Sequence, residues 1–202
     1  MTADADALER AAAAIRAGKL VVYPTETVYG LGADALDANA VGRVFEVKGR
    51  ERSKPISFAV PTFETAVEEG YVRASEREQA FGAAFLPGPV TLLCERTEAV
   101  PDILTAGRDR VGVRVPDCET ALALLERAER PITATSANVS GEPSARRVDE
   151  IGDRVLEAAV VLEADPSEFE ATSESTVVDV SAGTIHRRGA LADEIEAWLE
   201  DH

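Results

Sequence analysis

Leu20-Val21-Val22-Tyr23-Pro24-Thr25-Glu26-Thr27-Val28-Tyr29-Gly30-Leu31-Gly32 is the stretch that decides the fold class. Four consecutive apolar or aromatic residues, Leu20 to Tyr23, read as a buried strand, and Pro24 with the polar residues behind it turns the chain into a loop. Upstream, Ala5 to Ala17 sets Leu8, Ala12 and Ile15 on one face and stops at Gly18, the pattern of an amphipathic helix with a glycine stop. Downstream, Asn39 to Val47 repeats the helical spacing with Val41, Val44 and Phe45. A helix, a strand and a helix in forty residues define an α/β (α+β) chain.

The same alternation continues to the end. Strands are expected at Pro55 to Val60, Val90 to Cys94, Val111 to Val115, Ile132 to Thr135, Ala159 to Leu162 and Thr176 to Val180. Helices are expected at Thr62 to Glu69 and Ser75 to Phe85, each opened by a hydroxyl residue that can cap it, then at Glu119 to Glu129 and from about Ala192 to Leu199. Some connections are too short for right-handed crossovers, so the sheet should be mixed. With 202 residues and no Pro/Gly/Ser-rich linker, one domain over residues 1–202 is expected.

Composition narrows the function. The chain is 45% hydrophobic and carries 37 acidic against 21 basic residues, a net charge of −16, with lysine only at positions 19, 48 and 54. Such a coat repels nucleic acid and suggests a salt-rich cytoplasm. No run of 18 apolar residues occurs, and Asp4 and Asp6 stand where a secretory signal would be basic, so a cytoplasmic protein with no membrane contact is expected. Cys94 and Cys118 form no CxxC pair, which argues against a disulfide or zinc site. His186 and His202 are the only histidines, so a Ser-His-Asp mechanism is nearly excluded. Phosphate-loop, dinucleotide and HExxH motifs do not occur.

Chemistry concentrates in a few segments near strand ends, where α/β sheets place ligands. Thr25 and Thr27 could hold a small polar ligand or merely cap a turn. Lys48-Gly49-Arg50-Glu51-Arg52-Ser53-Lys54 sets four cations at alternate positions. If it is extended, all four point one way and form a phosphate clamp; the plainer alternative is a solvated edge strand. Thr133 to Gly141 runs from a strand into small hydrogen-bonding residues, where Ser136 and Asn138 could read an adenylate or cap a turn. Arg114, a cation in an apolar strand, must find an anion, whether a ligand or an internal carboxylate. Ser175, Arg187 and Arg188 complete the set.

Taken in order, Pro24 to Gly32, Lys48-x-Arg50, Pro87-Gly88-Pro89-x-Thr91, Arg114-Val115-Pro116 and Ser136-x-Asn138-x-Ser140-Gly141 make the chain resemble the YrdC-like family of threonylcarbamoyl-adenylate synthases from about Gly18 to Gly189. The resemblance implies a twisted, open sheet flanked by helices with a concave basic face. It implies the formation of L-threonylcarbamoyladenylate and pyrophosphate from L-threonine, bicarbonate or CO2, and ATP, for modification of tRNA. Thr27, Arg114, Ser136 and Ser175 would touch threonine. Lys48 and Arg50 would be catalytic and, with Asn138 and Arg187, would serve the nucleotide. Lys54 would join the phosphate group, and Arg188 replaces Arg187 if the register differs by one.

The chain departs from the resemblance where some members of that family carry a histidine near Ala59 and small hydroxyl residues near Arg110 and Arg146. Those two arginines therefore either add phosphate or entrance contacts or lie on the surface. Mg2+ would ride on the phosphates with no dedicated metal site, and the functional partner would be the tRNA threonylcarbamoyltransferase machinery. Longer relatives append a second domain, which is not expected here. Two competing functions are a double-stranded-RNA-binding protein of the same fold and a carbamoyl-adenylating maturation module.

Overall fold

The computed structural model describes residues 4–163 and 173–202. Helix α1 (Ala5–Arg16) leads into β1 (Leu20–Tyr23), and β2 (Gly30–Gly32) returns antiparallel to it before α2 (Ala38–Lys48). Then come β3 (Ser57–Ala59), α3 (Phe63–Glu68), β4 (Val72–Arg73), α4 (Glu76–Phe85), β5 (Val90–Arg96), α5 (Asp102–Thr105), β6 (Arg110–Arg114), α6 (Glu119–Ala128) and β7 (Ile132–Ser136). A 3-10 turn at Val148–Glu150, α7 (Asp153–Leu156), β8 (Ala159–Val161), β9 (Thr176–Asp179), β10 (Thr184–Arg187) and α8 (Ala192–Asp201) follow.

The strands form one open sheet of ten in the order β10-β9-β5-β6-β3-β7-β2-β1-β8, with β4 beside β5. Pairs β1/β8, β3/β6 and β5/β9 are parallel and the rest antiparallel, so the sheet is mixed, as the short connections require. Helices α3 and α4 start at the hydroxyl residues. The Thr62 hydroxyl accepts from the Thr65 amide at 3.1 Å, and Ser75 with Glu78 forms a reciprocal capping box on α4.

Several elements depart from expectation. The 30–32 segment, expected as loop, is a strand whose glycines let it pass over the Tyr23 ring. A Cβ on Gly32 would come within 2.5 Å of Ile132 Cγ2 and 3.0 Å of that ring. Strands β4 and β10 are short and polar, and α5 and α7 are single turns, so none carries a hydrophobic period. The 48–54 segment is not extended: Lys48 ends α2, Gly49 caps it in the left-handed conformation at φ 57°, and the chain then turns.

Side chains alternate across the sheet. On one face Val90, Leu92, Cys94, Val111 and Val113 join the larger core, against which residues of α2 and α4 pack. On the other face Val21, Tyr23, Ala59 and Ile132 pack under α1 and α6, through Leu8, Ala12, Ile15, Ala121, Leu124 and Leu125. Those two helices cover the β1/β7 side of that face. Among the described residues, no helix is long and apolar enough to cross a membrane, and both cysteines are buried and outside any disulfide.

Candidate active site

The face that α1 and α6 leave uncovered forms a cavity of about 470 Å³. Eight strands contribute to its lining, and on β5 and β6 the positions follow strand alternation. Strand β6 makes the pattern plain: Arg110, Gly112 and Arg114 line the cavity while Val111 and Val113 are buried in the opposite core. Thr91 and Leu93 do the same on β5. Five arginines line the cavity, Arg50, Arg108, Arg110, Arg114 and Arg187, and Glu174 is the carboxylate among the lining residues. This cationic hollow sits on a chain of net charge −16.

At one end lies the loop after β1. The Arg114 Nη2 donates to Glu26 Oε1 at 2.5 Å and to Thr27 Oγ1 at 2.8 Å. Thr25 gives its hydroxyl proton to Val28 O at 2.6 Å, so the 2.9 Å contact between the two threonines is Thr27 donating to Thr25. Thr27 is thereby fixed, with one lone pair left for a ligand donor. The internal carboxylate that a buried Arg114 demands is thus Glu26, while Arg114 also faces the cavity.

At the other end, Arg187 Nη2 donates to Ser175 Oγ at 2.8 Å, Ser175 lies 3.1 Å from Thr91 Oγ1, and Arg187 Nη1 pairs with Glu174 at 3.1 Å. Gly189 allows this closeness: a Cβ there would stand 2.1 Å from Glu174 O. Burial and the charge of Arg114 lower the Arg187 pKa, and Glu174 opposes them. Arg187 is the cavity residue of its pair, since Arg188 turns outward to Asp193 and Glu196.

Between the two ends, Arg50 is held by carbonyls, donating to Lys54 O at 3.1 Å and Pro55 O at 2.9 Å. Burial, then the neighbouring Arg187, lowers its pKa. Lys48 differs from expectation. It is 1% exposed and does not line the cavity; its ammonium clamps the turn after β7, donating to Ser136 O, to Asn138 O at 2.7 Å and to Asn138 Oδ1 at 3.3 Å. Burial chiefly, then Arg50, lowers its pKa to about 8 against a small opposing effect of Glu174.

The structure thus brings Thr27, Arg50, Arg114, Ser136, Ser175 and Arg187 to one cavity, with Lys48 directly behind Ser136. Asn138 stays behind the wall, its amide donating to Val139 O and Glu142 O. Lys54 is exposed beside Glu51, and Arg146 is exposed, neither lining the cavity. The four-cation clamp fails because α2 continues through Lys48. Arg110 belongs to an ion cluster with Glu78 at 2.6 Å and Asp179 at 2.9 Å. Arg108, Glu174, His186 and Thr91 also line the cavity, although no role was expected of them. The alternation of Arg110, Gly112 and Arg114 with valines was the signal for the β6 lining; Arg108 and His186 carried none.

An open mixed sheet, half roofed by two helices and lined by arginines where unroofed, defines an α/β protein with a cationic hollow. Residues 13–189 match the Sua5_yciO_yrdC family model, described as telomere recombination, and the chain belongs to that family. It is 44% identical over 171 residues to the threonylcarbamoyl-AMP synthase of Pyrococcus abyssi, covering 85% of this chain and 50% of that protein. To the putative threonylcarbamoyl-AMP synthase of Mycobacterium tuberculosis it is 37% identical, over 91% of this chain and 84% of that one. The crystal structure of P. abyssi Sua5 complexed with L-threonine superposes with a TM-score of 0.83 at 40% identity, over 95% of this chain and 56% of that one. The chain spans about half the length of some of the curated relatives it matches.

Proposed function

We propose that this chain joins L-threonine, CO2 or bicarbonate, and ATP into threonylcarbamoyl-AMP and pyrophosphate, supplying a cytoplasmic tRNA threonylcarbamoyltransferase. The observation that carries this reading is the convergence of five arginines on one concave cavity that also offers ordered hydroxyls. Relatives named for this activity and a related structure holding L-threonine support it.

The reaction asks for two anions to meet. The threonine amine forms a C–N bond to CO2 and loses a proton, giving a carbamate. A carbamate oxygen then attacks the α-phosphorus, and the bond to the bridging oxygen breaks with its electron pair leaving on pyrophosphate. Arg114 grips the threonine carboxylate, and Thr27 accepts from its hydroxyl through the free lone pair. Valine would leave that buried acceptor unmet, which is the physical basis of discrimination. Ser136 and Ser175 close the threonine site.

Arg50 and Arg187 neutralise the triphosphate and the charge that grows on the α-phosphate and leaving group. Arg50 suits this role because neutral carbonyls orient it without cancelling its charge. Lys48 acts from behind, fixing Ser136 and adding positive potential. Asn138, in the same clamped turn, contributes to the nucleotide site by shaping it. Mg2+ arrives with the triphosphate as part of the substrate. Among the described residues no group of three His, Cys, Asp or Glu side chains could hold it.

The test is pyrophosphate release in the presence of L-threonine, bicarbonate and MgATP. The wild-type chain should release pyrophosphate only when threonine is present, and Arg50→Ala should lower turnover at least a hundredfold with an unchanged melting temperature. Near-normal turnover by Arg50→Ala would remove this mechanism. RNA binding with steep salt dependence and no adenylate formed would favour the RNA-binding alternative.

A further inference from the structure

Glu26 lies behind the cavity wall, 4% exposed, and is not among the residues that line it. Its Oε1 meets Arg114 at 2.5 Å, yet its Oε2 is buried with no hydrogen-bond partner among the described residues. Arg114 is itself mostly buried, with its Nε also unpartnered. A buried ion pair is a poor device for stability alone, because desolvation offsets the attraction. An unmet carboxylate oxygen adds to that cost. The arrangement leaves the negative end of the pair, with one oxygen unpartnered and poorly screened, just beyond the guanidinium that faces the cavity.

We propose that Glu26 is a positioning and specificity-determining residue: it orients Arg114, and its charge makes the pocket select an amino acid over a plain carboxylic acid. This rests on Arg114 being the grip on the threonine carboxylate. Without Glu26 the pocket would present one uncompensated cation and favour any small carboxylate. With it, the Glu26–Arg114 pair is electrically neutral overall but polar, matching a zwitterion whose carboxylate meets Arg114 and whose ammonium feels the carboxylate beyond. Tyr23 lines the same end and stays neutral, its pKa raised by burial, so it does not alter the balance. Glu174 is paired with Arg187 at the opposite end.

The experiment is calorimetric titration of the intact chain with L-threonine and with 3-hydroxybutyrate, which keeps the carboxylate and hydroxyl but lacks the amine. Wild type should prefer threonine by at least tenfold. Glu26→Gln keeps an oxygen for Arg114 and removes the charge; it should cut that preference about tenfold, mostly by tightening 3-hydroxybutyrate. Glu26→Ala also releases Arg114 and should weaken both ligands. Should Glu26→Ala fail to melt cooperatively, the glutamine variant decides by itself. An unchanged preference in Glu26→Gln, or equal weakening of both ligands by it, overturns the inference. Normal threonine binding by Arg114→Ala, or no binding of either ligand by wild type, overturns instead the reading of the site on which it rests.

Discussion

Lys48 shows how one residue can be placed in the sequence and misread in its posture. Its spacing from Arg50 and its scarcity marked it, but a phosphate-facing side chain was expected and a buried clamp on Ser136 and Asn138 is found. The ammonium is worth more to three oxygens of a tight turn than to open solvent, once α2 delivers it beneath that turn. Because the folded value, about 8, lies below the ordinary 10.5, the unfolded chain holds more protons between these pH values. The unfolding free energy should therefore rise with pH across that window. Urea titrations at pH 7.5 and 9.5 should show wild type gaining stability relative to Lys48→Met; parallel behaviour of the two would refute the assignment. Arg114 and Thr27 were legible as cavity residues, whereas Glu26, beside Thr27, was not, since nothing in its local sequence marks it as the carboxylate that Arg114 takes.

At the level of elements, one carboxylate of α4 serves both its own helix and the sheet. Glu78 caps its own helix through the Ser75 amide at 2.7 Å, and its Oε1 accepts from Arg110 at 2.6 Å and Ser181 at 3.0 Å. Burial raises its pKa, but these bonds outweigh that and hold it below the ordinary value. Losing the cap alone should cost about 1 kcal/mol, whereas losing Glu78 also removes a charged hydrogen-bond partner of Arg110, leaving it to Asp179, and should cost about 2 kcal/mol. Denaturant unfolding of Ser75→Ala and Glu78→Ala checks the difference; equal losses would show that the Arg110 link contributes nothing. The cap itself was readable from Ser75 and Glu78 by local spacing. The link to β6 was not, nor were β2 and β10, because glycine-rich or polar strands gain their order from neighbours rather than from their own residues.

Across the whole molecule, a net charge of −16 means self-repulsion in the folded state. Raising KCl shortens the screening length from about 10 Å at 0.1 M to about 3 Å at 1 M. The melting temperature should rise by several degrees over that range, and a flat or falling value would show that the acidic surface is not a burden at low salt. By contrast, the arginines in the cavity should bind polyphosphate more weakly in the same salt series, so activity and stability part company. Apolar periodicity, glycine stops and hydroxyl caps were enough to determine the alternation of helices and strands, the mixed character of the sheet and the motif set of the family, because these depend on residues close in the chain. Only the tertiary structure decided which cations face the cavity. Sheet order sets β6 beside β3 and β5, the roof of α1 and α6 ends over β3, and long-range packing turns Lys48 inward while leaving Arg50, Arg108 and Arg187 at the hollow.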